Sequence, residues 1–86
     1  MSIDMKRGSL LPIGGENYVN PLRLLAIVAA DSAPARRLIQ EARERQALVD
    51  ASGGRKTRAL LIMDSEHVIA SALSPTELQE RLAEEA

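Results

Sequence analysis

The chain contains no cysteine, and histidine and aromatic residues are scarce among its 86 residues. The lack of cysteine excludes a disulfide framework and a thiolate metal site, and gives no sign of an oxidising compartment. Tyr18 is the only aromatic residue, which argues against modules that stack nucleic-acid bases on aromatic platforms. His67 is the only histidine, and one imidazole with scattered carboxylates does not make a metal site. We therefore expect no metal and no other cofactor.

Long apolar runs are also missing. No stretch approaches the roughly 20 apolar residues that span a bilayer, and the N-terminus lacks the apolar centre of a signal peptide. We therefore expect a cytoplasmic protein with no membrane partner.

The residues that are present have the balance of a globular protein, with 45% hydrophobic and 27% charged. Residues 1–9 show no periodicity, so we predict a flexible N-terminal arm followed by one domain over residues 10–86. A chain of this length is close to the lower size at which a single apolar core folds unaided. Association with a partner is therefore expected to contribute to stability.

The net charge of −1 gives no sign of nucleic-acid binding by itself, but the charge is unevenly distributed. The last 13 residues carry Arg81 against Glu77, Glu80, Glu84 and Glu85, a balance of −3. Because the acidic residues are concentrated there, a basic surface can exist elsewhere on the molecule.

Local patterns predict a small α+β fold. Asp31 or Ser32 caps a helix with Pro34 in its first turn, and Ser74 to Glu77 is a capping box that opens a second helix. Gly53 and Gly54 form the turn of a predicted hairpin, and a third strand follows as an antiparallel meander. The predicted strands lie at 22–29, 48–51, about 57–63 and 67–73, and residues 10–13 form an edge strand or an irregular segment. The first helix begins after its cap at Asp31 or Ser32 and ends at about Gln46, and the second begins at Pro75. Both helices are expected on one face of an antiparallel sheet.

Two of these strands are apolar at consecutive positions, Leu24 to Val28 and Leu60 to Met63. A sheet that is covered on one face alternates instead. Either the two helices cover opposite faces, or the second face is buried against another copy of the chain. The small core favours self-association.

Two motifs suggest catalysis but do not support it. Asp64, Ser65 and His67 are all present within four positions, yet neighbours on one tight turn cannot form a relay in which each side chain orients the next. The stretch from Gly53 to Thr57 superficially resembles a phosphate-binding loop, which requires glycine directly before the lysine and a helix after it. Here Arg55 precedes the lysine and a strand follows. We therefore expect no enzymatic activity and no small-molecule substrate.

The three cations Arg55, Lys56 and Arg58 lie within four positions after the Gly53-Gly54 turn. Arginine forms bidentate bonds to phosphate oxygens and lysine adds a mobile charge, so this cluster suits salt-sensitive contacts with a nucleic-acid backbone. A solvated turn is the simpler interpretation. Arg23 is a lone cation in an apolar strand and needs either a partner or a route to solvent.

The order of residues from about Leu10 to Leu82 resembles the RemA family of small bacterial regulators of extracellular-matrix (biofilm) genes. The motifs that carry the resemblance are Ser32-Ala33-Pro34, Ile39-Gln40-x-Ala42-Arg43, Asp50-Ala51, Gly54-Arg55-x-Thr57-Arg58 and Met63-Asp64-Ser65-x-His67-Val68-Ile69. The resemblance implies a transcriptional activator without a helix-turn-helix, which forms a homo-oligomeric ring and holds double-stranded DNA against a repeated basic surface.

The resemblance also implies that Arg23, Arg55 and Lys56 contact DNA and that Pro34 lies at a structurally sensitive helix start. Lys56 departs from the family pattern, which has a second arginine there, and this change keeps the charge but loses the bidentate fork. Leu22 replaces a polar asparagine, and Glu16 brings a negative charge into the glycine-rich turn.

These observations lead to one hypothesis and one alternative. The hypothesis is a DNA-binding activator whose sites, Arg23, Arg55, Lys56 and Arg58, are repeated around a homo-oligomeric ring, so that several weak phosphate contacts add up to avidity. The alternative is a protein-interaction or scaffold module that uses the arginine-rich helix over residues 35–46.

Overall fold

The computed structural model describes residues 9–85, so residues 1–8 of the predicted arm lie outside the described part. This part contains six strands and two helices, which confirms the α+β class. A short 3-10 turn over Pro21–Arg23 precedes the third strand. The elements are β1 (Leu11–Gly14), β2 (Asn17–Val19), β3 (Leu24–Ala29), α1 (Ala33–Glu44), β4 (Leu48–Asp50), β5 (Ala59–Met63), β6 (Val68–Ser71) and α2 (Pro75–Glu85).

The main sheet has four strands in the order β3-β5-β6-β4, and β1 pairs with β2 in a separate antiparallel hairpin. β5 is antiparallel to β3 and to β6, as the meander prediction requires, but β4 is parallel to β6. The main sheet is therefore mixed, and the prediction of a purely antiparallel sheet is wrong.

The predicted hairpin between β4 and β5 is also wrong, because β6 lies between these two strands. A hairpin turn joins neighbouring strands in two to five residues, whereas the connection here runs over residues 51–58. This connection crosses the end of β6. Gly53 and Gly54 do turn the chain, but they turn it within a crossover.

The two helices cover opposite faces of the main sheet, so the prediction of one helical face is wrong. Leu60 and Leu61 are adjacent on β5 and both are 0% exposed. Leu60 belongs to a cluster with Ala35 and Ala42 of α1, and Leu61 belongs to a cluster with Leu78 of α2 and the β1–β2 hairpin. Coverage of both faces within one chain accounts for the consecutive apolar residues of β5.

Both helix starts follow the prediction. The Ser32 hydroxyl accepts a hydrogen bond from the Ala35 N–H at 3.2 Å, and the Ser74 hydroxyl accepts one from the Glu77 N–H at 3.1 Å. These bonds satisfy backbone donors that the first helical turn leaves unpaired.

The end of α1 comes earlier than predicted, at Glu44 rather than near Gln46. Gln46 adopts φ 59°, and the Ala47 N–H bonds to the Ala42 carbonyl at 2.8 Å. This is the left-handed ending in which the chain closes on the last turn of the helix. It directs the chain into β4.

Ser71 connects the small hairpin to the main sheet. Its side chain is fully buried; the hydroxyl donates to the Ile13 carbonyl at 2.8 Å and accepts from the Leu73 N–H at 3.0 Å. A buried hydroxyl with both kinds of bond satisfied is typical of a stable interior. The β1–β2 hairpin is thereby held against the end of β6 that faces the connection over residues 51–58.

Candidate nucleic-acid interface

The basic loop, which we define as residues 53–58, is fixed at its first end by a side-chain turn. Asp50 Oδ1 accepts hydrogen bonds from the Ser52 hydroxyl at 2.6 Å and from the Ser52 N–H at 2.9 Å. The bond from the hydroxyl, with a second contribution from the N–H, lowers the pKa of the Asp50 carboxyl. Asp50 therefore stays ionised and keeps the start of the loop closed.

Glycine is required at the tip of the basic loop. Gly53 and Gly54 have φ values of 66° and 82°, in the left-handed region that residues with a Cβ atom rarely adopt. The Arg55 N–H then bonds to the Ser52 carbonyl at 3.2 Å and completes the turn. The chain leaves this turn directly into the three cationic positions.

The second end of the basic loop is tied to both neighbouring strands. The Arg58 N–H donates to the Ser71 carbonyl at 2.8 Å, and the Arg58 carbonyl accepts from the Ala30 N–H at 3.0 Å. The loop is thus anchored on the sheet at Arg58 and by the Asp50 turn at its start.

Arg55, Lys56 and Arg58 are all exposed. Between residues 9 and 85, no salt bridge and no side-chain hydrogen bond engages any of the three. Their charges are presented to solvent, and within this part of the chain no existing ion pair has to be broken before a phosphate binds them. The structure brings these three predicted site residues together on one anchored loop.

Arg23, the fourth predicted site residue, lies in the 3-10 turn before β3 rather than within the strand. Its Nε lies 3.1 Å from Asp64 Oδ1, and its side chain is 62% exposed. The backbones of the two residues are also bonded, since the Asp64 N–H donates to the Arg23 carbonyl at 2.9 Å. Arg23 thus has both a partner and a route to solvent. Since only Nε is engaged, the terminal nitrogens of the fork can still bind an anion.

Arg23 and the basic loop lie at opposite ends of the sheet. The register pairs Leu24 with Met63 and Ala29 with Ala59, so Arg23 is beside the last residue of β5 and Arg58 precedes its first. Six residues of extended chain separate Arg58 from Asp64, which corresponds to roughly 20 Å. One chain therefore does not bring Arg23 into the same cluster as the basic loop.

Two further cations lie at the same end of the sheet as the basic loop. Arg36 and Arg37 are exposed in the first half of α1, and α1 begins just after Ala30, which is bonded to Arg58. From the sequence, the arginine-rich helix over residues 35–46 was assigned only to the scaffold alternative. A signal was present, because the helix dipole disfavours cations in a first turn. The bond between Ala30 and Arg58, which brings the start of α1 to this end of the sheet, joins distant residues and has no local signature.

Among residues 9–85, the side chains that suggest nucleophilic catalysis form an isolated pair and not a triad. Ser65 Oγ lies 2.8 Å from His67 Nδ1 in an exposed turn, while the adjacent Asp64 is directed to Arg23. Asp64 therefore does not orient His67, as a relay would require. Within the described residues, no group of three metal-ligating side chains occurs, and no helix has the length and apolar character needed to cross a membrane.

A known protein family matches most of the chain. The model of the family described as "RemA-like: Extracellular matrix regulatory protein A-like" matches residues 10–82. The chain belongs to the RemA-like family. The resemblance identified from the sequence motifs is thereby confirmed.

Similar proteins occur in distant bacteria, and each is called a "Putative regulatory protein". The relative in Thermosynechococcus vestitus is 55% identical over 74 residues, covering 86% of this chain and 96% of its own. The relative in Brevibacillus brevis is 53% identical over 73 residues and covers 85% of each chain. The relative in Caldicellulosiruptor saccharolyticus is 55% identical over 75 residues, 87% of this chain and 74% of its own. Family and names together indicate a regulatory protein rather than an enzyme.

Proposed function

We propose that this RemA-like protein is a DNA-binding transcriptional activator that contacts phosphates through its basic loop. The observation that carries the proposal is the presentation of Arg55, Lys56 and Arg58 on one anchored loop, with no ion pair to any of them among residues 9–85. Such cations lose little by binding a phosphate, because no existing ion pair has to be broken. The contacts neutralise backbone charge and do not read base sequence.

Arg23 supplies a second, separate phosphate contact in this proposal. Its bond to Asp64 holds the guanidinium in place at the far end of β3, roughly 20 Å from Arg58 by the strand spacing. Two anchored contacts at that spacing meet different phosphates, so together they orient a duplex relative to the sheet. Arg36 and Arg37 extend the surface on the side of the basic loop.

Self-association is the second part of the proposal, and the edge strand β3 supports it. Leu22 and Leu25 are 65% and 68% exposed, and neighbouring exposed apolar residues mark a candidate contact surface. A hollow of about 390 Å³ lies beside Leu25, between β3 and Leu82 of α2, and most of the residues that line it are apolar. An edge strand also has unpaired backbone groups that can bond a second chain. Burial of this surface against another copy would build the homo-oligomeric ring.

A homo-oligomer would also explain how a chain with a net charge of −1 binds DNA. Each chain offers only a few phosphate contacts, so the affinity of a single copy is low. Linked copies bind the same duplex with a high effective concentration, which raises the avidity without any new contact. We place the protein in the cytoplasm with the chromosome. Its proposed targets are extracellular-matrix (biofilm) genes, because the family is described as extracellular matrix regulatory protein A-like.

The decisive experiment is a DNA titration over a range of salt concentrations with wild type, Arg55→Ala and Arg23→Ala. Each lost phosphate contact lowers the magnitude of the slope of log K against log salt by about 0.9. Because each substitution removes its contact from every copy in the oligomer, both variants are expected to lose DNA retention at moderate salt. Arg43→Ala is the matched control, because Arg43 is exposed in the last turn of α1. Light scattering should show the same oligomer in every variant. Unchanged binding by Arg55→Ala would refute the site.

The scaffold alternative is favoured by one observation, the exposed arginines along α1. Arg45 already donates to the Glu66 carbonyl at 3.3 Å, but Arg36, Arg37 and Arg43 have no internal partner within the described residues. An acidic protein partner could bind them. A wild-type protein with no measurable DNA affinity at low salt, and with a partner lost on Arg37→Ala, would favour this function.

A further inference from the structure

A groove lies between the basic loop, the turn of the β1–β2 hairpin and the start of α2. Its volume is about 590 Å³, and residues of all three elements line it. The Asn17 side chain holds the hairpin turn in place by donating to the Gly14 carbonyl at 3.0 Å. The groove is therefore formed by segments that are each anchored by hydrogen bonds.

The size of the groove fits a small molecule better than it fits a single backbone phosphate. Ligand sites in proteins commonly enclose about 300–1,000 Å³, and this groove is within that range. A phosphate group of DNA would fill only a small part of it. A ligand that fills the groove must therefore carry additional atoms beyond a phosphate group.

The charges of the groove are separated between its walls. Arg55, Lys56 and Arg58 line it from the basic loop, and Glu77 lines it from α2. Glu77 forms a long ion pair with Arg81, at 3.7 Å between Oε2 and Nη2, and its side chain is 47% exposed. One wall thus presents cations that suit an anion, while the other offers a carboxylate that can accept hydrogen bonds.

We propose that this groove binds a small organic phosphate of the nucleotide class. Its phosphates would bind the three cations, and an N–H group of its base would donate to Glu77. The bound molecule is a ligand and not a substrate, since no step of bond breaking is involved. The ligand uses the same cations as DNA and therefore displaces DNA. This competition rests on the proposed function, whereas binding of the ligand does not.

The test is isothermal titration of the full chain with two probes, ATP and inorganic tripolyphosphate, both without divalent metal ions. Wild type is expected to bind ATP more tightly than tripolyphosphate, although their phosphate chains are alike, because only ATP donates to Glu77. Glu77→Ala should weaken ATP binding by about tenfold, the usual effect of losing a hydrogen bond to a charged group. The same variant should bind tripolyphosphate more tightly, because a repulsive charge is removed.

Arg58→Ala should weaken the binding of both probes, and the control Arg43→Ala should weaken neither. The inference is overturned if wild type binds neither probe at millimolar concentration, or if Glu77→Ala changes the two affinities equally. Competition is measured separately, as release of a labelled duplex by ATP at constant ionic strength. Saturable ATP binding without DNA binding would refute only the proposed function, whereas DNA binding without ATP binding would refute only this inference.

Discussion

Replacement of Ser71 by alanine tests the connection between the two sheets. The Ser71 hydroxyl is the donor to the Ile13 carbonyl and the acceptor for the Leu73 N–H. Ile13 has no partner residue in the β1–β2 register, so the strand ladder does not supply another donor. Ser71→Ala leaves both backbone groups unsatisfied beside a core that includes Leu11 and Leu78.

The size of the effect follows from these two groups. A buried polar group that loses its partner costs about 1–3 kcal/mol, and the Leu73 N–H is only partly buried. We therefore expect Ser71→Ala to lower the free energy of unfolding by about 2–4 kcal/mol. For a domain of this size, each kcal/mol shifts Tm by about 4–8 °C. A decrease in Tm of about 10 °C or more should result.

Thermal unfolding followed by circular dichroism measures this change, at one protein concentration because association shifts apparent stability. Ser65→Ala is the matched control. Its hydroxyl is exposed and contacts only His67, so its effect should stay within about 0.5 kcal/mol. A Tm of Ser71→Ala equal to that of the control would refute the reasoning, since it would show that the hydroxyl does not connect the sheets.

Three further changes probe association, the basic loop and DNA affinity. Leu25→Lys should convert the proposed oligomer to a monomer in light scattering, while Leu25→Met should not; an unchanged mass would place the proposed interface elsewhere. The pKa of Asp50 is lowered below 3.8, so the stability that its carboxylate contributes is present above that pH and is lost below it. The Tm difference between wild type and Asp50→Asn should therefore shrink below pH 3.8, and a constant difference would contradict the role of the charge. Lys56→Arg should strengthen DNA binding several-fold through a bidentate contact without changing the salt slope; a changed slope would show that the number of phosphate contacts differs.

Local signals predicted the starts of the two helices well. The side chains that cap the helices are Ser32 and Ser74. Ser74 was predicted, and Ser32 was one of two candidates with Asp31, because a capping oxygen, a nearby proline and an apolar stripe lie within a few residues of each other. The antiparallel pairing of β5 with β6 was also predicted, since only four residues separate the strands. In each case the interacting groups are close in sequence.

The order of strands was not predicted correctly, because it depends on contacts between distant residues. Gly53 and Gly54 are residues typical of a hairpin turn, yet β4 does not pair with β5. It pairs with β6, which lies between β4 and β5 in the sheet. The parallel pairing between Leu48 and Val68 spans twenty positions, and no pattern of neighbours encodes it. The same reason explains why the helices were assigned to one face.

The sequence by itself determined the family, the class of fold and the basic loop, because these depend on motifs and charges at short spacing. It identified Arg55, Lys56 and Arg58 as a cluster before any geometry was known. Only the tertiary structure decided that these cations have no ion-pair partner among the residues it describes, that Arg23 is held by Asp64 at the other end of the sheet, and that Glu77 shares a groove with the loop. Those relations join residues that are far apart in the chain, and they arise when the strands and helices pack.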